Sequence, residues 1–420
     1  MFDAMQKAFD VTGYDQLEVY AEREKAIECS VLQDRVDSVE SETSHGIGVR
    51  ALVDNKVGFS YTTDPERVQE AAQRAVKLAR LSQFETISFP VQDTFPEVEG
   101  VHDRETAALD QEDITAMTRD AIDTDSARFT GGKTSRVVGE TYVMNSTGLQ
   151  HSQEETYFVS YLTANRDGRS KYWFETSRSV MQVSDIASKA IDVLDRYGET
   201  TTVDSEAVDV VLTPQAQYQI FSGLLYPAFN ADRVQRGKSA LADEQGNTVA
   251  ADHVTIRDDG LKQGGINTRP FDREGTPAQE TALINEGVLE QVLYDVQRAE
   301  KDSVSSTGNA SGGYSSFPSI SPTNMVVEME EEDEDALDDA VVIYDVAGVH
   351  TANETSGDFS LDITTGFYRE GGEEKAIENG LFVGNIFDLL ENASFMYGEP
   401  RMVDSLTSRP AVFTDQRVVH

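Results

Sequence analysis

The sequence predicts an α+β protein: an N-terminal mixed sheet with helices, then a C-terminal domain that is mostly antiparallel β. Three observations carry this. Before about residue 205, alternating apolar and polar runs are interrupted by stretches with an apolar stripe at helical spacing. Beyond it, short apolar runs are separated by Gly-rich turns. The length, 420 residues, suffices for two or three cores, so the change of texture divides the chain into domains 1–205 and 206–420.

Residues 1–12 read as a short helix. Residues 16–42 read as two strands, through Leu17, Val19 and Ala21 and then Ile27, Cys29 and Val31. Gly46–Val53 and Val57–Tyr61 flank the turn Asp54-Asn55-Lys56 and make a hairpin. Asp64-Pro65 caps a helix whose stripe is Val68, Ala71, Ala72, Ala75, Leu78 and Ala79. Residues 85–108 are loop-rich, 110–123 and 184–197 helical, and 135–180 strands with turns at 145–148 and 165–168. In the second half Ala207–Leu212 is a strand and Thr213-Pro214 opens a helix reaching about Leu225. Short strands follow at 253–257, 281–285, 288–294, 324–329, 341–347, 364–370 and 375–384, then a helix at 385–393.

Acidic residues number 75 against 35 basic ones, a formal charge of −40. Such a surface repels nucleic acid and anionic membranes, which excludes both as partners. Only 11 of the basic residues are Lys. Acid spread over the whole chain with scarce Lys is the composition of a protein adapted to high salt, where a Debye length of roughly 3 Å screens self-repulsion. The alternative is an acidic patch for a basic partner. Residues 328–339 hold nine acids, without the Gly and ligand spacing of a calcium loop; they read as a solvated loop leading into a helix. Cys29 is the single cysteine and sits in an alternating run, so it reads as a buried strand residue. The start, Met1-Phe2-Asp3-Ala4, lacks the basic and apolar regions of a signal peptide, and no stretch of about 18 apolar residues occurs; the expected compartment is the cytoplasm.

No familiar catalytic constellation is present. The six histidines are never close enough in sequence for a helical zinc pair, which leaves open only a site gathered from distant residues. Gly237-Lys238-Ser239 lacks the upstream glycine of a phosphate loop, and there is no Gly-x-Ser-x-Gly elbow. Three loops are too polar and Gly-rich for plain core: 271–277, 306–313 and 350–360. Each reads as turn chemistry by itself. Together they suggest a shared groove for an extended peptide, with Asp272, Glu274, Asn309, His350, Asn353, Gly357, Asp358 and Phe359 as groove or interface candidates. No catalytic residue and no metal ligand is assigned.

These segments resemble the TldD/PmbA family of peptidase-related proteins. The likeness runs through Phe271-Asp272-Arg273-Glu274-Gly275-Thr276, Ile284–Leu289, Ser306–Ala310, Ser321-Pro322-Thr323-Asn324, Ser356-Gly357-Asp358-Phe359-Ser360, Gly366-Phe367 and Gly384-Asn385. In the first half it includes Gly46–Arg50 and Asn145-Ser146-Thr147-Gly148. In the TldD branch, the resemblance implies a helix early in the second domain that carries His-Glu-x-x-x-His, completed by a later Cys to bind zinc. The matching stretch here is Leu224–Arg233, which holds no His or Glu, is interrupted by Pro227, and is followed by no Cys. The chain therefore looks like the TldE/PmbA branch. That implies no cofactor on this chain, zinc in a TldD-like partner subunit, an unfolded peptide substrate, and a Gly357-Asp358-Phe359 loop near the shared cavity. The isolated chain forming a homodimer is left open.

Two other readings stand beside it. One is a self-sufficient hydrolase using His350 with Asp358, or Asp272 with Glu274, since His and carboxylates with tuned pKa values do acid–base work. The other is a peptide-binding scaffold without an enzymatic partner.

Overall fold

The computed structural model describes residues 1–86, 88–91, 94–337 and 339–420. Six strands, β1 (Gln16–Leu32), β2 (Val36–Val53), β3 (Lys56–Thr62), β4 (Arg128–Asn145), β5 (Gln150–Arg166) and β6 (Arg169–Ser177), form one sheet in the order β3-β2-β1-β4-β5-β6. The α+β class holds, but this sheet is not mixed: every pairing in it is antiparallel. Four of its five connections are turns too short for a parallel crossover. At the β2–β3 turn Asp54 and Asn55 both take positive φ, 50° and 61°, the backbone that matches strand twist in a two-residue hairpin.

Residues 16–42 are not two strands within themselves. Strand β1 runs through the polar stretch at 22–25 because both of its edges are paired there, Glu22 opposite Gly46 on one side and Thr141 on the other. Its odd positions Leu17, Val19, Ala21, Ile27, Cys29 and Val31 are all buried, Cys29 completely. They face helices Val68–Ala79, Gln111–Ile122 and Val183–Asp195. Asp64 accepts from the Glu66 amide at 3.0 Å and starts a single 3-10 turn before the first of these helices. The stripe of that helix includes Val76, not Leu78, which is 47% exposed.

Gly58 on β3 permits the closest helix–sheet approach. A Cβ there would sit 2.1 Å from the Ala75 carbonyl and 2.2 Å from the Ala79 amide, both backbone atoms that cannot swing aside. Gly58→Ala is expected to lose about 1–3 kcal/mol of stability, read from urea unfolding, by forcing the helix off the sheet. An unchanged midpoint would mean that the helix rides free of β3.

In the second half, strands Ala340–Ala347, Ser205–Leu212, Ala411–Val419, Leu381–Asn385 and Asp358–Glu370 pair successively and the last returns to the first, closing a ring. The pairing of Ala340–Ala347 with Ser205–Leu212 is parallel, as is that of Met325–Glu328 with Leu406–Ser408; the rest of the ring is antiparallel. The sequence reading named no strand after residue 393. Ala411–Val419 was hidden because Asp415, at φ 56°, breaks its alternation with register shifts on either side of Gln416. The expected strand 288–294 is only Val288–Leu289, and 375–384 divides into Glu373–Ile377 and Leu381–Asn385 around Asn379 at φ 54°. The acidic run forms a 3-10 turn, Glu334–Ala336, and leads into a strand instead of a helix; Asp338 lies outside the described residues. Among the described residues no helix is long and apolar enough to cross a membrane.

Candidate functional site

The even positions of β1 carry Glu18, Tyr20 and Glu22, which by alternation alone would face solvent. Instead the second half of the chain covers this face. Glu18 is 1% exposed. It accepts from Arg50 of β2 at 2.9 Å (Nε to Oε1) and 2.5 Å (Nη2 to Oε2), a bidentate pair. Arg50 also donates from Nη1 to Glu274 at 2.6 Å, and Arg273 from Nη1 to Glu18 at 3.1 Å. Two arginines and two glutamates, one of each from either half, thus form a buried network across the seam. Burial opposes the charge of Arg50, but Glu18 and Glu274 outweigh it and hold the guanidinium charged. Arg273 further stacks 3.7 Å over the Tyr20 ring.

The segment Phe271–Pro277 presents these side chains from a tight reversal. The Asp272 carboxylate accepts the amides of Glu274, Thr276 and Ala310, each at 2.9 Å. Gly275 has φ 80°, and a Cβ on it would meet Leu149 at 2.3 Å, so the turn both needs glycine and packs against the N-terminal sheet. Burial, and after it the Glu274 carboxylate, push the Asp272 carboxyl up to about 7, against the pull of the Arg269 charge and of the Thr276 and Ala310 amides. Glu274 is used at both oxygens, Oε1 by Arg50 and Oε2 by the Val296 amide at 2.9 Å. Asn309 donates to buried Asp258 at 2.6 Å and to the Ser321 carbonyl at 3.1 Å. The structure therefore gathers Asp272, Glu274 and Asn309 into one buried framework, where they hold backbone and countercharges.

His350, Asn353, Gly357, Asp358 and Phe359 belong to a different place, the turn leading into Asp358–Glu370. Asn353 accepts the amides of Thr355 at 3.0 Å and Ser356 at 3.2 Å. Gly357 supplies φ 87°, and Phe359 packs into the core 4.9 Å from Phe382. Asp358 is exposed and accepts Ser356 Oγ at 2.6 Å and Asn385 Nδ2 at 2.9 Å; these two bonds lower its carboxyl below the ordinary value. No hydrogen bond or ion pair joins Asp358 to His350 among the described residues. The one groove expected from the three loops thus resolves into a buried seam and an exposed turn.

The stretch Leu224–Arg233 does not fit a zinc ion. Leu224, Leu225, Tyr226, Ala228, Phe229 and Ala231 are buried in the principal core of the second half. Pro227 has no amide hydrogen to give, and the helix widens into a π turn, Phe221–Leu225, just before it. Asn230 and Asp232 are spent on a helix cap and on Arg298. Among the described residues no three His, Cys, Asp or Glu side chains are gathered to hold a metal.

Glu18, Arg50, Arg273, Asp258 and Asp295 were not singled out in the sequence. The available signal was a Glu and an Arg inside otherwise apolar strands, Leu17-Glu18-Val19 and Val49-Arg50-Ala51.

An antiparallel sheet with helices on one face, locked through buried ion pairs to a closed-ring β domain on the other, defines a two-part α+β protein. Residues 205–419 match the model of the PmbA/TldA metallopeptidase C-terminal domain, and residues 17–79 that of PmbA/TldA metallopeptidase domain 1. An uncharacterized protein of Methanocaldococcus jannaschii is 34% identical, over 88% of this chain and 89% of the relative. Metalloprotease PmbA of Escherichia coli O157:H7 is 22% identical over 90% of this chain and 86% of its own. The crystal structure of TldE from Thermococcus kodakarensis superposes with a TM-score of 0.87 at 22% identity and covers 100% of both chains. The chain belongs to the PmbA/TldD metallopeptidase family.

Proposed function

We propose that this chain is the TldE/PmbA-type subunit of a two-subunit zinc peptidase that degrades unfolded peptides, and that the zinc and the catalytic groups belong to a TldD-like partner. The observation that carries the reading is the composition of Leu224–Arg233: packed hydrocarbon and a proline occupy the stretch in which the resemblance to the TldD branch would put His-Glu-x-x-x-His ligands. A hydrolase centre within this chain finds less support. Asp272 and Glu274 are fully engaged by amides and Arg50, and Asp358 is committed to Ser356 and Asn385.

The test is reconstitution at high salt with a TldD-like subunit encoded in the same genome. The mixture is expected to cleave unfolded peptide, to lose that activity with chelator and to regain it with zinc, while this chain alone does neither. Chelator-sensitive cleavage by the purified chain alone would overturn the reading. Co-purification that recovers no TldD-like subunit would favour a scaffold without an enzymatic partner.

A further inference from the structure

Helix Val68–Ala79 buries one stripe against the N-terminal sheet and leaves the opposite face exposed. Arg74, Lys77, Leu78 and Leu81 stand at i, i+3, i+4 and i+7, so they share that face. Leu81 lies in the turn that prolongs the helix, its amide donating to the Leu78 carbonyl at 3.0 Å. Two properties set this face apart from the rest of the protein. The first is charge. Residues 67–84 hold four basic side chains and one acidic one, in a chain with 75 acids to 35 bases. The acid, Glu70, is already paired with Arg67 at 2.8 Å. Arg74, Lys77 and Arg80 are exposed, and no carboxylate is within 4.0 Å of any of them among the described residues. The second is apolar surface. Leu78 is 47% exposed, Leu81 81% and Phe84 47%. They are three of the nine large apolar side chains exposed among the described residues, gathered within seven positions. Phe84 joins the face to the second half of the chain, its ring 5.0 Å from that of Phe317.

The negative end of the helix dipole favours cations in the last turn, which accounts for Lys77 and Arg80. It gives no reason to hold two leucines and a phenylalanine in water beside them. Apolar side chains rimmed by charge mark a docking surface, and charge complementarity decides its occupant. A basic, apolar stripe fits an acidic segment with apolar side chains between its carboxylates. We infer that the face formed by Arg74, Lys77, Leu78 and Leu81, extended by Phe84, is where the TldD-like subunit docks, through such a segment. This rests on the reading of the chain as one half of a two-subunit peptidase. Anchors at this spacing suit a groove, the apolar contacts supplying affinity and the charges orientation. A second copy placed helix to helix is disfavoured, because the same three cations would face one another. Nucleic acid would engage the cations but not the leucines, and an anionic membrane would meet a chain of charge −40.

The experiment is calorimetric titration of the full chain with the TldD-like subunit encoded in the same genome, at the lowest salt at which both stay folded and again at molar salt. The parent is expected to bind. Leu81→Ser, and Arg74→Glu with Lys77→Glu in one chain, should each lower the affinity by about tenfold or more. Thermal unfolding should stay close to that of the parent, since all three side chains are exposed. The loss from charge reversal should shrink at molar salt, and the loss from Leu81→Ser should persist. Arg104→Glu, an exposed cation on the separate helix Arg104–Ala108, should bind as the parent does. If the parent binds and both variants bind unchanged, this inference alone is overturned. If the parent does not bind the subunit, the two-subunit reading falls and the inference with it. Should the double variant fold poorly, Leu81→Ser decides. Sedimentation with phosphatidylglycerol vesicles is expected to leave the chain in solution; association abolished by Leu81→Ser would assign the face to a membrane and overturn the proposal.

Discussion

Replacing Arg50 with Met should destabilise the protein by about 3–5 kcal/mol, because it strips the donors from two buried carboxylates at once. Glu18 would retain only Arg273 at 3.1 Å, and Glu274 Oε1 would retain nothing that the structure provides. Both glutamates are at most 2% exposed, so water cannot replace the lost bonds without opening the seam. Denaturant unfolding measures the loss. Removing the charges together is the informative control: Glu18→Leu, Arg50→Met, Arg273→Met and Glu274→Leu in one chain should recover much of it, since a buried ion network and a packed apolar replacement are often close in energy. If Arg50→Met alone costs less than about 1 kcal/mol, the seam is not sealed by this network.

The second large effect is on pH. Burial raises the Asp258 carboxyl from the ordinary 3.8 to about 6, against the donors Asn309 and Thr323. Burial, followed by Glu274, likewise raises Asp295 to about 6 and Asp272 to about 7. A carboxyl whose folded value lies above its unfolded one binds its proton more tightly when folded. Its stabilising contribution is complete below about pH 4 and is lost as pH rises through the folded value. The unfolding temperature should therefore fall between pH 5 and pH 8 at constant molar salt. For Asp258, a difference of about two pKa units corresponds to roughly 3 kcal/mol. Asp258→Asn, which keeps the shape and cannot ionise, should flatten the profile. A profile that rises from pH 5 to pH 8, or an Asn variant as pH-sensitive as the parent, would show that the amide donors govern these carboxylates instead. The uniform negative surface acts in the same direction, so the comparison is made at high salt, where it is screened.

The framework candidates were legible for a definable reason. Asp272, Glu274 and Asn309 stood out because polar residues packed among Gly and Pro in a short loop need partners: Asp272 finds them in its own loop's amides, Glu274 in Arg50 and the Val296 amide, and Asn309 in Asp258 and the Ser321 carbonyl. The same argument applied to His350, Asn353 and Asp358, and there it led only to a turn. Local chemistry identifies residues that bond to backbone; it does not say whether another part of the chain covers them. That is why three similar loops in sequence became one buried seam and one exposed turn in space.

By itself the sequence determined the α+β class, the hairpin at Asp54-Asn55, the caps at Asp64 and Thr213, the burial of Cys29 and the family, because these depend on alternation, capping and local motifs. Only the tertiary structure decided that the antiparallel sheet is covered on both faces at the end that carries Glu18 and Tyr20. Glu18, Tyr20 and Glu22 alternate with Leu17, Val19 and Ala21 as solvent-facing residues would. A polar face buried against complementary charge has the same pattern as one facing water, since what separates them is the countercharge contributed by Arg273 from a segment some 250 residues away.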